Sequence, residues 1–275
     1  MQFGIYAPNF GAFSDSHTLA QLAYEAEEAG WDGFFLWDHS HYSEALPLTD
    51  PAIALTAMAL RTQRLRLGPL VTPLPSRNPW QLARQAVGLD RVSNGRFVQG
   101  VGLGVDWWKE YSGFGMSADD VLHGAMLDEG LAVLTGLWSG TPFSYNGTHY
   151  QISQIQFQPA PIQKPRIPVW VGGLWPNKRP FRRAANYDGI FPIGKNGNIT
   201  PADVREMLTY IHQFRTATTP FDIVLRGATP SHPARATSVL NEYVQAGVTW
   251  WLEGFGPNDS TAQLSTRIRK GPPEL

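Results

Sequence analysis

Asp38, His39 and His41 close the segment Phe34-Phe35-Leu36-Trp37-Asp38-His39-Ser40-His41, where an apolar run of strand character ends in a carboxylate and two imidazoles. A carboxylate beside an imidazole orients it and stabilises its protonated form, so Asp38 and His39 have the make-up of an acid/base pair. A surface loop with a capping Asp has the same make-up. His39-Ser40-His41 also has the His-x-His spacing that chelates a divalent metal, as in a metal-dependent hydrolase. Such a site needs further ligands, and His17, His123, His149, His212 and His232 all fall away from the strand ends that would supply them.

Two glycine segments offer a second kind of chemistry. Gly100-Val101-Gly102-Leu103-Gly104 lets backbone amides approach a phosphate or a ring carbonyl, or else relieves crowding where strands converge. It is not a dinucleotide fingerprint, because it follows a fourth strand and runs into Val105-Asp106-Trp107-Trp108. In Val169-Trp170-Val171-Gly172-Gly173-Leu174-Trp175-Pro176-Asn177-Lys178-Arg179-Pro180, two glycines precede a helical turn carrying Lys178 and Arg179. Amides, helix end and cations there suit a phosphate-sized anion; the alternative is a glycine turn with solvated charges.

The elements that must position these residues alternate between strand and helix character, the signature of a parallel α/β fold. Strands are expected at Phe3–Tyr6, Gly33–Leu36, Arg64–Leu70, Arg96–Gly102, Pro168–Val171, Gly189–Phe191, Phe221–Leu225 and Thr249–Glu253. Between them lie a helix from Ser16 to Ala29 stopped by Gly30, one capped by Asp50-Pro51, one opened by Asn78-Pro79, and others at 119–138, 178–185, after Thr200-Pro201, and at 233–246. Eight such strands form a (β/α)8 barrel, a single domain over residues 1–275 whose site lies at the strand carboxyl ends. The repeat lapses from Trp107 to about Ile167, read as an insertion between strands four and five that covers one end of the barrel.

Composition narrows the partners. The chain has 275 residues, 43% of them hydrophobic and 16% charged, so a large single core is within reach. A net charge of -1 provides no basic field for nucleic acid or anionic membrane. No cysteine is present, which excludes thiolate catalysis, Cys-ligated zinc and iron–sulfur clusters, so redox chemistry requires a cofactor. No apolar stretch spans a bilayer and Met1–Tyr6 lacks a leader pattern, so a cytoplasmic protein acting on a small molecule is expected. Several of the ten tryptophans cluster near strand ends, where flat rings stack on planar ligands.

Taken in order, the segments resemble the luciferase-like monooxygenase superfamily, (β/α)8 proteins that use FMN or the deazaflavin coenzyme F420. The resemblance is carried by Trp37-Asp38-His39, Leu65 to Pro73, Leu89-Asp90-Arg91-Val92-Ser93-Asn94-Gly95-Arg96, Gly100 to Gly104, Met126 to Leu131, and the strand-five segment through Arg183. It implies a flavin-like ring across the top of the barrel, held by Leu70, Val71, Thr72, Gly102, Gly104, Trp107, Gly172, Gly173, Leu174, Trp175, Lys178 and Arg179. It also implies a non-prolyl cis peptide at Leu70-Val71, with His39, oriented by Asp38, beside the reactive ring. The chain departs from the superfamily's sugar-phosphate dehydrogenases, which carry a catalytic glutamate where this chain has Val105; Asp106 and Glu110 lie nearby at a different reach. The implied activity is hydride transfer between cofactor and a small organic substrate, or oxygen activation if FMN is used. A flavin- or F420-binding protein without turnover is the alternative. Arg179, Arg182, Arg183 and Lys195 would form a basic groove suited to the oligoglutamate tail, favouring F420 over FMN. Relatives often pair through barrel helices, and a homodimer is implied in the same way.

Overall fold

The computed structural model describes residues 1–42, 46–195 and 197–275. Its strands are β1 (Gln2–Ala7), β2 (Gly33–Leu36), β3 (Arg66–Pro69), β4 (Thr72–Pro73), β5 (Gln99–Gly102), β6 (Pro142–Asn146), β7 (Gln151–Gln156), β8 (Val169–Trp175), β9 (Gly189–Gly194), β10 (Asp222–Gly227) and β11 (Trp250–Gly254). The helices are α1 (Ser16–Glu28), α2 (Pro51–Arg61), α3 (Pro79–Val92), α4 (Asp120–Trp138), α5 (Lys178–Ala184), α6 (Pro201–His212), α7 (Pro233–Ala246) and α8 (Thr261–Arg269).

Nine strands join one parallel sheet in the order β3-β2-β1-β11-β10-β9-β8-β5-β4. Its two edges, β3 and β4, are successive pieces of one chain run, and a bridge from Leu67 to Phe97 draws β3 toward β5, so the sheet is a nearly closed barrel. The expected third strand is therefore two short pieces, with Leu70-Val71 between them.

Period-two alternation divides the core in two. One set of side chains fills the barrel, among them Tyr6, Phe35, Leu70, Trp170, Val224 and Trp250. The residues between them, such as Ile5, Phe34, Leu36 and Val171, face outward and meet the apolar stripes of the helices, including Leu19, Leu22, Ala23 and Ala26 of α1. The expected caps hold: Asp50 accepts the N–H groups of Ala52 and Ile53, and Asn78 that of Gln81.

The segment from β5 to β8 divides differently from the expectation. Residues 103–119 lie at the carboxyl end of β5, whereas the antiparallel pair β6-β7 follows α4 and packs along that helix, where Glu129 accepts the N–H groups of Thr148, His149 and Tyr150. Strand β8 also runs four residues past its expected end, through Gly172 to Trp175.

Glu27 fixes the approach to β3. Its buried carboxylate accepts the backbone N–H groups of Gln63, Arg64 and Leu65. Burial pushes this carboxyl up, but the three amides outweigh it and hold it below its ordinary 4.5. Its stabilising contribution is thus complete above pH 4.5 and is lost as pH falls through the depressed folded value. Glu27→Gln, which turns an N–H₂ toward amide donors, should cost about 1–3 kcal/mol. Thermal melting should show this gap at pH 7 and a narrower one near pH 3; a pH-independent gap contradicts the assignment.

Candidate active site

Beyond β2 the chain stays extended, so successive side chains point to opposite sides. Phe35 lies inside the barrel, and Trp37 follows on the same side, its ring 5.7 Å from that of Tyr6. Asp38 therefore faces outward, toward the layer of α2 and α3. It is 8% exposed and accepts hydrogen bonds from Thr72 Oγ1 and Arg77 Nη2, both at 2.6 Å. Burial pushes its carboxyl above the ordinary range, against the pull of Arg77 and Thr72. The expected Asp38–His39 pair is thus not formed, because neighbours on an extended strand end cannot share one side.

His39 returns to the barrel mouth and finds a carboxylate from elsewhere. Its Nδ1 lies 2.8 Å from Oε2 of Glu110, which is 5% exposed. Oε1 of the same carboxylate accepts the Ser40 N–H at 2.9 Å. Asn9 grips the His39 backbone from both sides, donating to its carbonyl and accepting from its N–H. A carboxylate acceptor places the proton on Nδ1, so Nε2, which makes no hydrogen bond among the described residues, is the ring atom available to a substrate. Tyr42 and Trp108 stand edge-on to the imidazole, each with its ring 5.4 Å away, and Phe10 and Trp37 complete the wall at 5.8 Å.

The ends of β3, β5 and β8 converge on Val71. The Leu70-Val71 peptide is cis, and Tyr6 donates its hydroxyl to the Leu70 carbonyl at 2.6 Å. A Cβ on Gly102 would sit 2.6 Å from Val71 Cγ2, and one on Gly172 would sit 2.9 Å from Cγ1. Only glycine admits Val71 between those strands, and Val71 with its two glycine neighbours forms an apolar bed. Gly104 borders it at φ +72.

Several residues expected beside it point elsewhere. Thr72 is 1% exposed and faces outward to Asp38 and Gln99. Because β8 continues as a strand, Gly172 and Gly173 point to opposite sides: Gly172 faces Val71, while Gly173 is pressed on Pro180 of α5. Leu174 falls on the Gly172 side, whereas Trp175 turns outward and donates to Asp203 at 3.1 Å. Lys178 follows it, 3.0 Å from Glu206 and stacked over Trp175. Arg179 is exposed on the helix surface, and Trp107 is 76% exposed, while its neighbour Trp108 holds the inner place. Arg183 is engaged with Asp128. Among the described residues no group of three or more His, Cys, Asp or Glu side chains converges as metal ligands.

The family model for luciferase-like monooxygenases matches residues 1–263. The chain belongs to this family. Among curated relatives, an uncharacterised protein of Mycobacterium tuberculosis is 29% identical over 94% of this chain and 93% of its own length. The oxygenase component of a flavin-dependent trigonelline monooxygenase from Acinetobacter baylyi is 28% identical over 66% of this chain, which spans about half (51%) of that protein. The barrel also superposes on the coenzyme F420-dependent tetrahydromethanopterin reductase of Methanopyrus kandleri, with a TM-score of 0.79 at 17% identity over 98% of both chains. The monooxygenase RslO1 of Streptomyces bottropensis gives 0.78 at 20% identity over 98% of this chain and 97% of that one. At these identities the superpositions establish the shared fold.

Sequence reasoning had no access to Glu110 as the partner of His39, since 71 residues separate them. A second omission had a signal. Arg226 stands two positions after the barrel-filling Val224, so strand periodicity alone puts it at the mouth.

Proposed function

We propose that this protein is an F420- or flavin-dependent oxidoreductase acting on a small organic molecule at the carboxyl face of the barrel. The observation that carries the reading is the bed formed by Val71 between Gly102 and Gly172 at the same carboxyl end of the barrel as an imidazole that a buried carboxylate holds with one nitrogen free. A deazaflavin or flavin, when bound, supplies the acceptor or donor of hydride. Val71, Gly102, Gly172 and Leu174 would support such a planar group. His39 moves a proton at Nε2, Glu110 fixes the imidazole, and Trp37, Tyr42 and Trp108 exclude water from it.

Both cofactors stay in the reading. Of the cations suited to an oligoglutamate tail, Arg183 is engaged by Asp128, while Arg179 and Lys195 are exposed. The cytoplasm is the compartment that fits this chemistry, and no helix among the described residues is long and apolar enough to cross a membrane.

Absorbance titration of purified protein with FMN and with F420 tests the reading, and micromolar binding of one of them is expected. Gly172→Val, which crowds the Val71 bed, should weaken that binding by tenfold or more, corresponding to overpacking of about 1–3 kcal/mol. Absence of micromolar binding to either cofactor overturns the proposal.

A further inference from the structure

One charge at the barrel mouth has no role in the proton and cofactor functions above. Arg226 projects from β10 on the inward side, directly above Val224. Its guanidinium carbon lies 5.7 Å from the centre of the Trp37 ring, and its stem occupies space left by the missing side chain of Gly254, where a Cβ would come within 2.7 Å of Arg226 Cγ and Nε.

The Arg226 side chain makes no hydrogen bond or ion pair among the described residues, and the nearby carboxylates are taken. Glu253, beside Gly254, turns outward to Thr229 and Arg267. Glu110 is committed to His39 and Ser40. The indole N–H of Trp37 likewise has no acceptor among the described residues. The Trp37 nitrogen is buried whereas Arg226 is exposed, so the guanidinium is the donor open to a ligand, on a ring whose centre also lies 5.8 Å from that of His39.

We propose that Arg226 is a substrate-recognition residue and that the substrate carries a carboxylate. A cation on the wall that also holds the proton-transferring imidazole orients an anionic molecule by one end while the other end reacts. Arginine suits this role because its fork matches the two oxygens of a carboxylate. The inference rests on the function proposed above for the same mouth. A cofactor phosphate has related oxyanion chemistry, and the experiment separates the two.

The probe is benzoate, with benzamide as its neutral counterpart of nearly the same shape, followed by tryptophan fluorescence with and without bound cofactor. Wild type should bind benzoate about tenfold or more tightly than benzamide, as a charge-assisted contact implies. Arg226→Met should abolish that preference, Arg226→Lys should retain part of it, and Gly254→Val, which displaces the Arg226 stem, should weaken it. The FMN and F420 titrations should be unchanged in Arg226→Met. Equal binding of benzoate and benzamide by wild type, no binding of benzoate, or a preference that survives in Arg226→Met overturns the proposal. A tenfold loss of cofactor affinity in Arg226→Met also overturns it, by assigning the cation to the cofactor phosphate. The cofactor-free arm still reports on Arg226 if neither cofactor binds, so failure of the functional reading is distinguishable from failure of this one.

Discussion

His39→Ala is expected to lower kcat by about 100- to 10,000-fold, the range supplied by a positioned general acid or base, or roughly 3–5 kcal/mol of transition-state stabilisation. Cofactor affinity should stay within a few-fold of wild type, because the imidazole stands on the aromatic wall and not in the bed around Val71. Glu110→Gln should cause a smaller loss in kcat at unchanged KM, since an amide still meets the imidazole but no longer offers it a carboxylate oxygen, and Glu110→Asp should recover part of it. Steady-state kinetics with the cofactor saturating separates these outcomes. A wild-type kcat in His39→Ala removes the residue from the chemistry.

The second large effect concerns Asp38, and it is an effect on stability. Asp38 and Arg77 are a buried ion pair at 2.6 Å, with side-chain exposures of 7% and 29%. Removing one partner of such a pair leaves an uncompensated charge, at a cost of about 3–5 kcal/mol. Because Arg77 retains some access to water, the lower end applies to Asp38→Ala, about 3 kcal/mol, or roughly 6–12 °C in Tm for a chain of this size. The kcat below the melting range should remain near wild type. In Arg77→Met, the carboxyl, already pushed up by burial, loses the cation that draws it down. A raised folded value means that the native state holds the proton where the unfolded chain has released it, so stability falls as pH rises. The defect of Arg77→Met should therefore be greatest at neutral pH and shrink toward pH 4. The double variant Asp38→Leu with Arg77→Met should recover most of the loss, since apolar replacement of a buried pair is often nearly neutral. An unaltered Tm together with a lost kcat in Asp38→Ala would return Asp38 to the chemistry.

Why Asp38 and His39 part company shows where sequence reading ended. Their adjacency suggested a pair, but period-two alternation sends one toward α2 and α3 and the other to the mouth. The same alternation divides Gly172 from Gly173, and Leu174 from Trp175. Those residues were read as a turn because glycines commonly end strands, whereas pairing with β9 carries β8 on to Trp175. Lys178 is then carried round to Glu206 instead of the mouth. The hairpin of β6 and β7 escaped detection because its strands are largely exposed and carry no apolar run.

By itself the sequence determined the parallel α/β repeat, the helix caps at Asp50 and Asn78, and the family. These features are local: a cap, a periodicity or a motif is written within a few consecutive residues. Tertiary structure alone decided which carboxylate holds His39, which of two adjacent glycines faces Val71, and that Arg226 shares a wall with His39 through Trp37. Each depends on where a strand end stops and which side its next residue faces, and barrel closure sets both by bringing together residues far apart in the chain.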